Sequence, residues 1–70
     1  NKMSYNEKKE LETLELRISY IEGRIKEIDN EIDYNPSSYM LISDLLKESE
    51  ILKEELDDIS LRYLELLEKS

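Results

Sequence analysis

The sequence predicts an all-α fold, a two-helix antiparallel intramolecular coiled-coil hairpin. Three observations predict it. Leu and Ile recur at alternating spacings of 3 and 4 along two stretches of the chain, the signature of a coiled-coil seam. A single Pro lies near the middle, and there is only one Gly. The charged fraction is 40%, a composition that long helices carry and most globular folds do not. The same charge also suits disorder, but the regular placement of the apolar residues argues against it.

The first element opens at Ser4-Tyr5-Asn6-Glu7, which reads as a capping box: the Ser4 hydroxyl accepts from the Glu7 N–H, and Glu7 reaches back to the Ser4 N–H. Lys8 sits where an apolar residue would meet Met3, so no hydrophobic staple forms. Leu11, Leu14, Ile18, Ile21, Ile25, Ile28 and Ile32 then form an unbroken a/d seam with Leu11 at a. Helix 1 is expected over about residues 4–33. Asp33 to Ser38 breaks the pattern, because Pro36 disfavours helical geometry at Asn35. A turn is expected at about 34–36, with Asn35 as N-cap and Pro36 as first residue of helix 2, over about 36–69. Its seam is Ile42, Leu45, Ser49, Leu52, Leu56, Ile59, Tyr63 and Leu66, with Ser49 its polar member. So short a connection joins antiparallel neighbours, and each arm is roughly 40–50 Å long at about 1.5 Å per residue. The 70 residues therefore form one domain.

Charge selects the register. Pairing Ile25 with Leu45 makes the numbers in every layer sum to 70. The g positions then face each other as Glu10–Arg62, Arg17–Glu55 and Arg24–Glu48, all opposite in sign, and Glu15 faces Lys53 on the other flank. Sliding one heptad brings Arg17 onto Arg62 and Glu31 onto Glu48. Exposed pairs are each worth under ~1 kcal/mol, so they choose the register while the seam supplies the stability. The prediction is a monomeric hairpin.

Two positions stand out. Gly23 falls on the outer face, either tolerated there or marking a bend or close contact. Ser49 falls opposite Ile21 and leaves a small hole or a hydroxyl bonded to its own helix. Leu16, Tyr20, Ile51, Leu61 and Leu64 lie off the seam. Scattered exposed hydrophobes are ordinary, yet Leu61 and Leu64, with Leu67 at the seam's edge, also suit a docking patch. Tyr34 and Tyr39 flank the turn, to close it against the last layer or to stack bases.

The same residues exclude much chemistry. There is no Cys and no His, hence no disulfide, thiolate metal site or redox motif. No EF-hand pattern is present, and without a Gly-rich phosphate loop neither a nucleotide site nor a nucleophile–base set is built. The expected answer is no catalytic site, no metal and no cofactor in this chain. No apolar run approaches ~20 residues, so no membrane contact is expected. The chain does not begin with Met, which suggests that it was excised from a longer protein.

Lys2-Met3-Ser4-Tyr5, followed by Glu10-Leu11-Glu12, and Arg62-Tyr63 with Leu66 near the close carry a family resemblance. The chain resembles the C-terminal domain of ABC-F ATPases, the Uup type in particular. That domain typically opens with Lys-Leu-Ser-Tyr, continues to Glu-Leu-Glu and closes with Arg-Trp-x-x-Leu-Glu. Here Met3 stands for Leu, Tyr63 for Trp and Leu66 for the final Leu. The similarity spans essentially the whole chain. It implies that two ATP-hydrolysing cassettes, which hold ATP and magnesium, precede the capped start, and that the hairpin itself does not hydrolyse ATP. It further implies a cytoplasmic protein of translation or DNA metabolism whose hairpin contacts DNA or ribosomal RNA.

Within the chain, Lys2, Lys8, Lys9, Arg62 and Lys69 gather at the terminal end and are the candidate nucleic-acid-binding residues. A net charge of −8 repels phosphate, which makes binding by this chain weak and local. Glu27, Asp29, Glu31 and Asp33 crowd the tip. The alternatives are a hairpin that docks on its own cassettes, or a protein–protein module using Leu61, Leu64 and Leu67.

Overall fold

A computed structural model describes residues 2–69. Two helices, α1 (Tyr5–Tyr34) and α2 (Tyr39–Glu68), pack antiparallel along their length. They form a rod of 53 × 15 × 15 Å with a radius of gyration of 15.8 Å, against about 11 Å for a compact chain of this length. No helix among the described residues is long and apolar enough to cross a membrane.

α1 starts as its sequence dictates. The Ser4 Oγ accepts from the Glu7 N–H at 3.1 Å, and the Ser4 N–H donates to Glu7 Oε1 at 3.0 Å. Two of the helix's orphan donors are thereby satisfied. The seam then buries Ile21, Ile28, Leu45 and Leu52 as one core cluster, with Ile25, Ile32, Leu56 and Ile59 packed against it. Leu66 is also fully buried. These buried aliphatic residues are all d positions, whereas Ile18, Ile25 and Ile32 at a are half-buried. Ser49, opposite Ile21, is buried too. An added Cβ at Gly23 would meet nothing within 4 Å, so the close-contact reading of that glycine does not hold.

The register is the one charge selects. Arg17 grips Glu55 through two bonds, Nε–Oε2 at 2.5 Å and Nη2–Oε1 at 2.7 Å. Arg24 grips Glu48 in the same way at 2.6 and 2.9 Å, and Arg62 grips Glu10 at 2.7 and 3.0 Å. These are the forked carboxylate bonds that Arg makes and Lys does not. Glu15 and Lys53, also expected to face each other, are not among the ion pairs of the described residues. Both are exposed, and holding two long side chains in one geometry offsets the weak attraction in water.

The turn differs from expectation. Asn35 caps the end of α1: its N–H donates to the Ile32 carbonyl at 3.2 Å, and its Nδ2 donates to the Glu31 carbonyl at 2.9 Å. The Asn35 carbonyl accepts from the Ser38 N–H at 3.1 Å. Pro36 is therefore the second residue of a β-turn, a position its fixed φ suits, and not the first residue of a helix. α2 begins at Tyr39, with Ser38 as an N-cap that makes no side-chain capping bond. Tyr34 and Tyr39 do not close the turn; they are 87% and 83% exposed.

Candidate nucleic-acid interface

The terminal end of the rod holds the five candidate cations, and α1 and α2 position them differently. Lys8 and Lys9 lie in the first turns of α1, on the exposed side of a helix whose capped start sets their direction. The Lys9 ammonium stands 5.7 Å from the centroid of the Tyr5 ring, within cation–π range. Lys2, just ahead of the cap, and Lys69, just after α2, line a shallow open hollow with Glu65 and Glu68. Arg62 is the g-position residue gripped by Glu10.

Two of the five cations are already engaged. Beyond its fork on Glu10, Arg62 lies 3.7 Å from Glu65. The Lys69 Nζ donates to Glu7 Oε2 at 2.5 Å. Glu7 thus has two jobs: one oxygen caps α1, and the other ties the end of α2 to the start of α1. The bond from Lys69, then that from the Ser4 backbone, draws its carboxyl down to about 2 from an ordinary value of 4.5. The Arg62 hydrogen bond likewise lowers Glu10, and Glu10 raises Arg62. Heptad reasoning does not anticipate the Glu7–Lys69 tie, because it pairs seam flanks and Glu7 is already assigned to the cap. The only sequence signal was the terminal placement of both residues in the chosen register.

Charge is unevenly distributed along the rod. At the terminal end, residues 2–12 and 60–69 together carry five cations (Lys2, Lys8, Lys9, Arg62, Lys69) and five carboxylates (Glu7, Glu10, Glu12, Glu65, Glu68), whereas residues 27–46 carry five carboxylates and no Lys or Arg. The end bearing Lys2, Lys8 and Lys9 is therefore the part of the rod least repellent to phosphate. On the outer face of α2, Leu61 and Leu64 are 66% and 56% exposed and Leu67 is 39% exposed. Among the described residues no group of three or more His, Cys, Asp or Glu is placed to hold a metal ion.

Compared with known proteins, residues 2–68 match the family model described as the ABC transporter C-terminal domain. No curated protein and no solved structure matches the chain.

Proposed function

The chain belongs to the ABC transporter C-terminal domain family, the C-terminal domain of ABC-F type ATPases, and on that premise we propose that it is the accessory coiled-coil arm of a Uup-like ATP-binding protein of the cytoplasm. The arm contacts DNA or ribosomal RNA through its terminal end. ATP and magnesium belong to the parent protein's cassettes, and the arm's contribution is tethering: a stiff rod on a nucleic acid raises the local concentration of the cassettes there.

The observation that carries this reading is the family match over residues 2–68. The charge distribution supports the choice of end. With Arg62 and Lys69 engaged by carboxylates, Lys2, Lys8 and Lys9 make the phosphate contacts. About three contacts give a slope of log affinity against log salt of roughly −2 to −3.

The test is a titration of short DNA and RNA duplexes at low and moderate salt. Binding is expected to be weak and without sequence preference, and to be abolished by Lys8→Glu/Lys9→Glu. Reversal of Lys47 and Lys53, which sit among Asp44, Glu48, Glu54 and Glu55, should leave it nearly unchanged. Absence of binding even at low salt overturns the reading. It would favour the second one, a protein-docking hairpin that uses Leu61 and Leu64, whose exposure supports that alternative.

A further inference from the structure

The tip of the rod carries apolar side chains that the hairpin does not use. Tyr34 is the last residue of α1 and Tyr39 the first of α2, and Met40 follows it. Met40 is 84% exposed, as open as the two tyrosines, and Leu41 is partly exposed. They stand on either side of a turn held by the Asn35 bonds to Glu31, Ile32 and Ser38. Their presentation is fixed by helix ends and a hydrogen-bonded turn, not by a floppy loop. The two cation–π contacts of the described residues involve Tyr5 and Tyr20, not these rings.

Asp33 adjoins Tyr34, and Asp29 and Asp44 each lie five residues from one of the tyrosines, about 8 Å along a helix axis. All three are exposed, and no Lys or Arg falls between Glu27 and Leu46. We propose that the hairpin tip, with Tyr34, Tyr39 and Met40 as its anchor, docks on a protein surface offering an apolar pocket rimmed by lysine and arginine.

Tyr and Met are the residue types that supply large contact area at interfaces, Tyr at low entropic cost and Met with an adaptable shape. The carboxylates decide the class of partner. Stacking of the tyrosines on bases would bring a phosphate backbone against unpaired negative charge, and phosphate attraction dominates nucleic-acid affinity. A basic protein surface gains from the same charges, in encounter rate and in choice of partner. The rod is 53 Å long, several Debye lengths at physiological salt, so the tip engages independently of the terminal end. This inference therefore stands apart from the nucleic-acid reading, and its test uses different residues.

The test takes the 70-residue chain, isotopically labelled, and follows backbone NMR shifts while an amphipathic helical Leu/Lys peptide is added. Three controls run alongside: an oligolysine of equal charge, a single-stranded DNA oligonucleotide and anionic lipid vesicles. The Leu/Lys peptide is expected to move the resonances of residues 33–44 and to bind about tenfold or more tighter than oligolysine. Tyr34→Ser/Tyr39→Ser should weaken it about tenfold or more, and Asp29→Asn/Asp33→Asn should weaken it as well. Glu50→Gln/Glu54→Gln removes equal charge from the exposed middle of α2 and should have no effect. The substituted side chains are exposed, and an unchanged thermal melt checks that the fold is kept. Equal affinity for oligolysine overturns the proposal, because charge alone would then explain the contact. So does indifference to the tyrosine variant, equal loss in the Glu50/Glu54 variant, or shifts at the tip caused by the oligonucleotide or the vesicles.

Discussion

Glu7 joins the two ends of the chain because a carboxylate has two oxygens and each meets a different donor. Oε1 takes the Ser4 N–H and Oε2 takes the Lys69 ammonium. Its carboxyl is drawn down to about 2 from 4.5, chiefly by Lys69. A carboxyl with a lowered folded value adds stability above 4.5 and loses it as pH falls through about 2, since the unfolded chain then binds the proton more readily. Gln at this position retains the reciprocal cap but not the charge. The melting temperatures of wild type and Glu7→Gln should therefore differ most near neutral pH. The gap should narrow below pH 4.5 and close below about 2. Glu48 and Glu55, also lowered by their arginines, are common to both proteins and cancel in the comparison. Glu10, lowered chiefly by Arg62, also feels the Glu7 charge, which opposes that lowering, so a part of the gap passes through it. A gap that stays constant across this range would mean that the tie to Lys69 contributes nothing to folding.

At the scale of the helices, the seam separates positions that matter from positions that do not. Ile28 is fully buried in the core cluster, whereas Leu16, three-quarters exposed, contributes little. Ile28→Ala should destabilise by ~2–5 kcal/mol, the range for truncating a buried aliphatic side chain. Leu16→Ala should stay within about 0.5 kcal/mol, as surface changes do. Urea titration of both variants is the measurement. Comparable losses would show that Leu16 is covered in solution, by a second copy or another partner. Ile18, mid-seam by sequence, is only half-buried; the greater loss therefore belongs to Ile28 or Ile21. The helix ends differ for an equally local reason. Ser4 has Glu7 three residues on and forms a full capping box, while Ser38 has Leu41 at that spacing and forms none.

As a whole, the molecule is a thin rod whose surface of 5513 Å² exceeds the roughly 4,600 Å² of a compact monomer of its mass. Its core is one seam deep, and among the described residues the outer faces of both helices are exposed. The hairpin is held in register by three arginine forks, and Arg17–Glu55 lies near mid-rod. Cysteines in place of Arg17 and Glu55 should be joined within a single chain by a short thiol-specific crosslinker. The product should run as a monomer on a denaturing gel at every protein concentration. Crosslinking only between chains would indicate a swapped dimer and would end the monomeric-hairpin prediction.

Much of this was legible in the residues themselves. The number of helices, the antiparallel pairing and the three forks follow from where Leu and Ile recur and from the signs of the g-position charges. Periodicity and charge sign run along the chain and are read without coordinates. The start of α2, the exposure of the tip and the Glu7–Lys69 tie were not legible in this way. Pro36 suits both a helix start and a β-turn. Only the Ser38 N–H, donating to the Asn35 carbonyl, decides between them. With that turn in place, Tyr34 and Tyr39, which flank it outside the seam, face solvent instead of closing it against the last layer. Of the five cations gathered at the terminal end, sequence placed all in one region. Arg62 was matched to Glu10 by the g-position charges, but that Lys69 also holds a carboxylate depended on how the two chain ends meet, a contact between residues 62 positions apart that only the folded hairpin brings together.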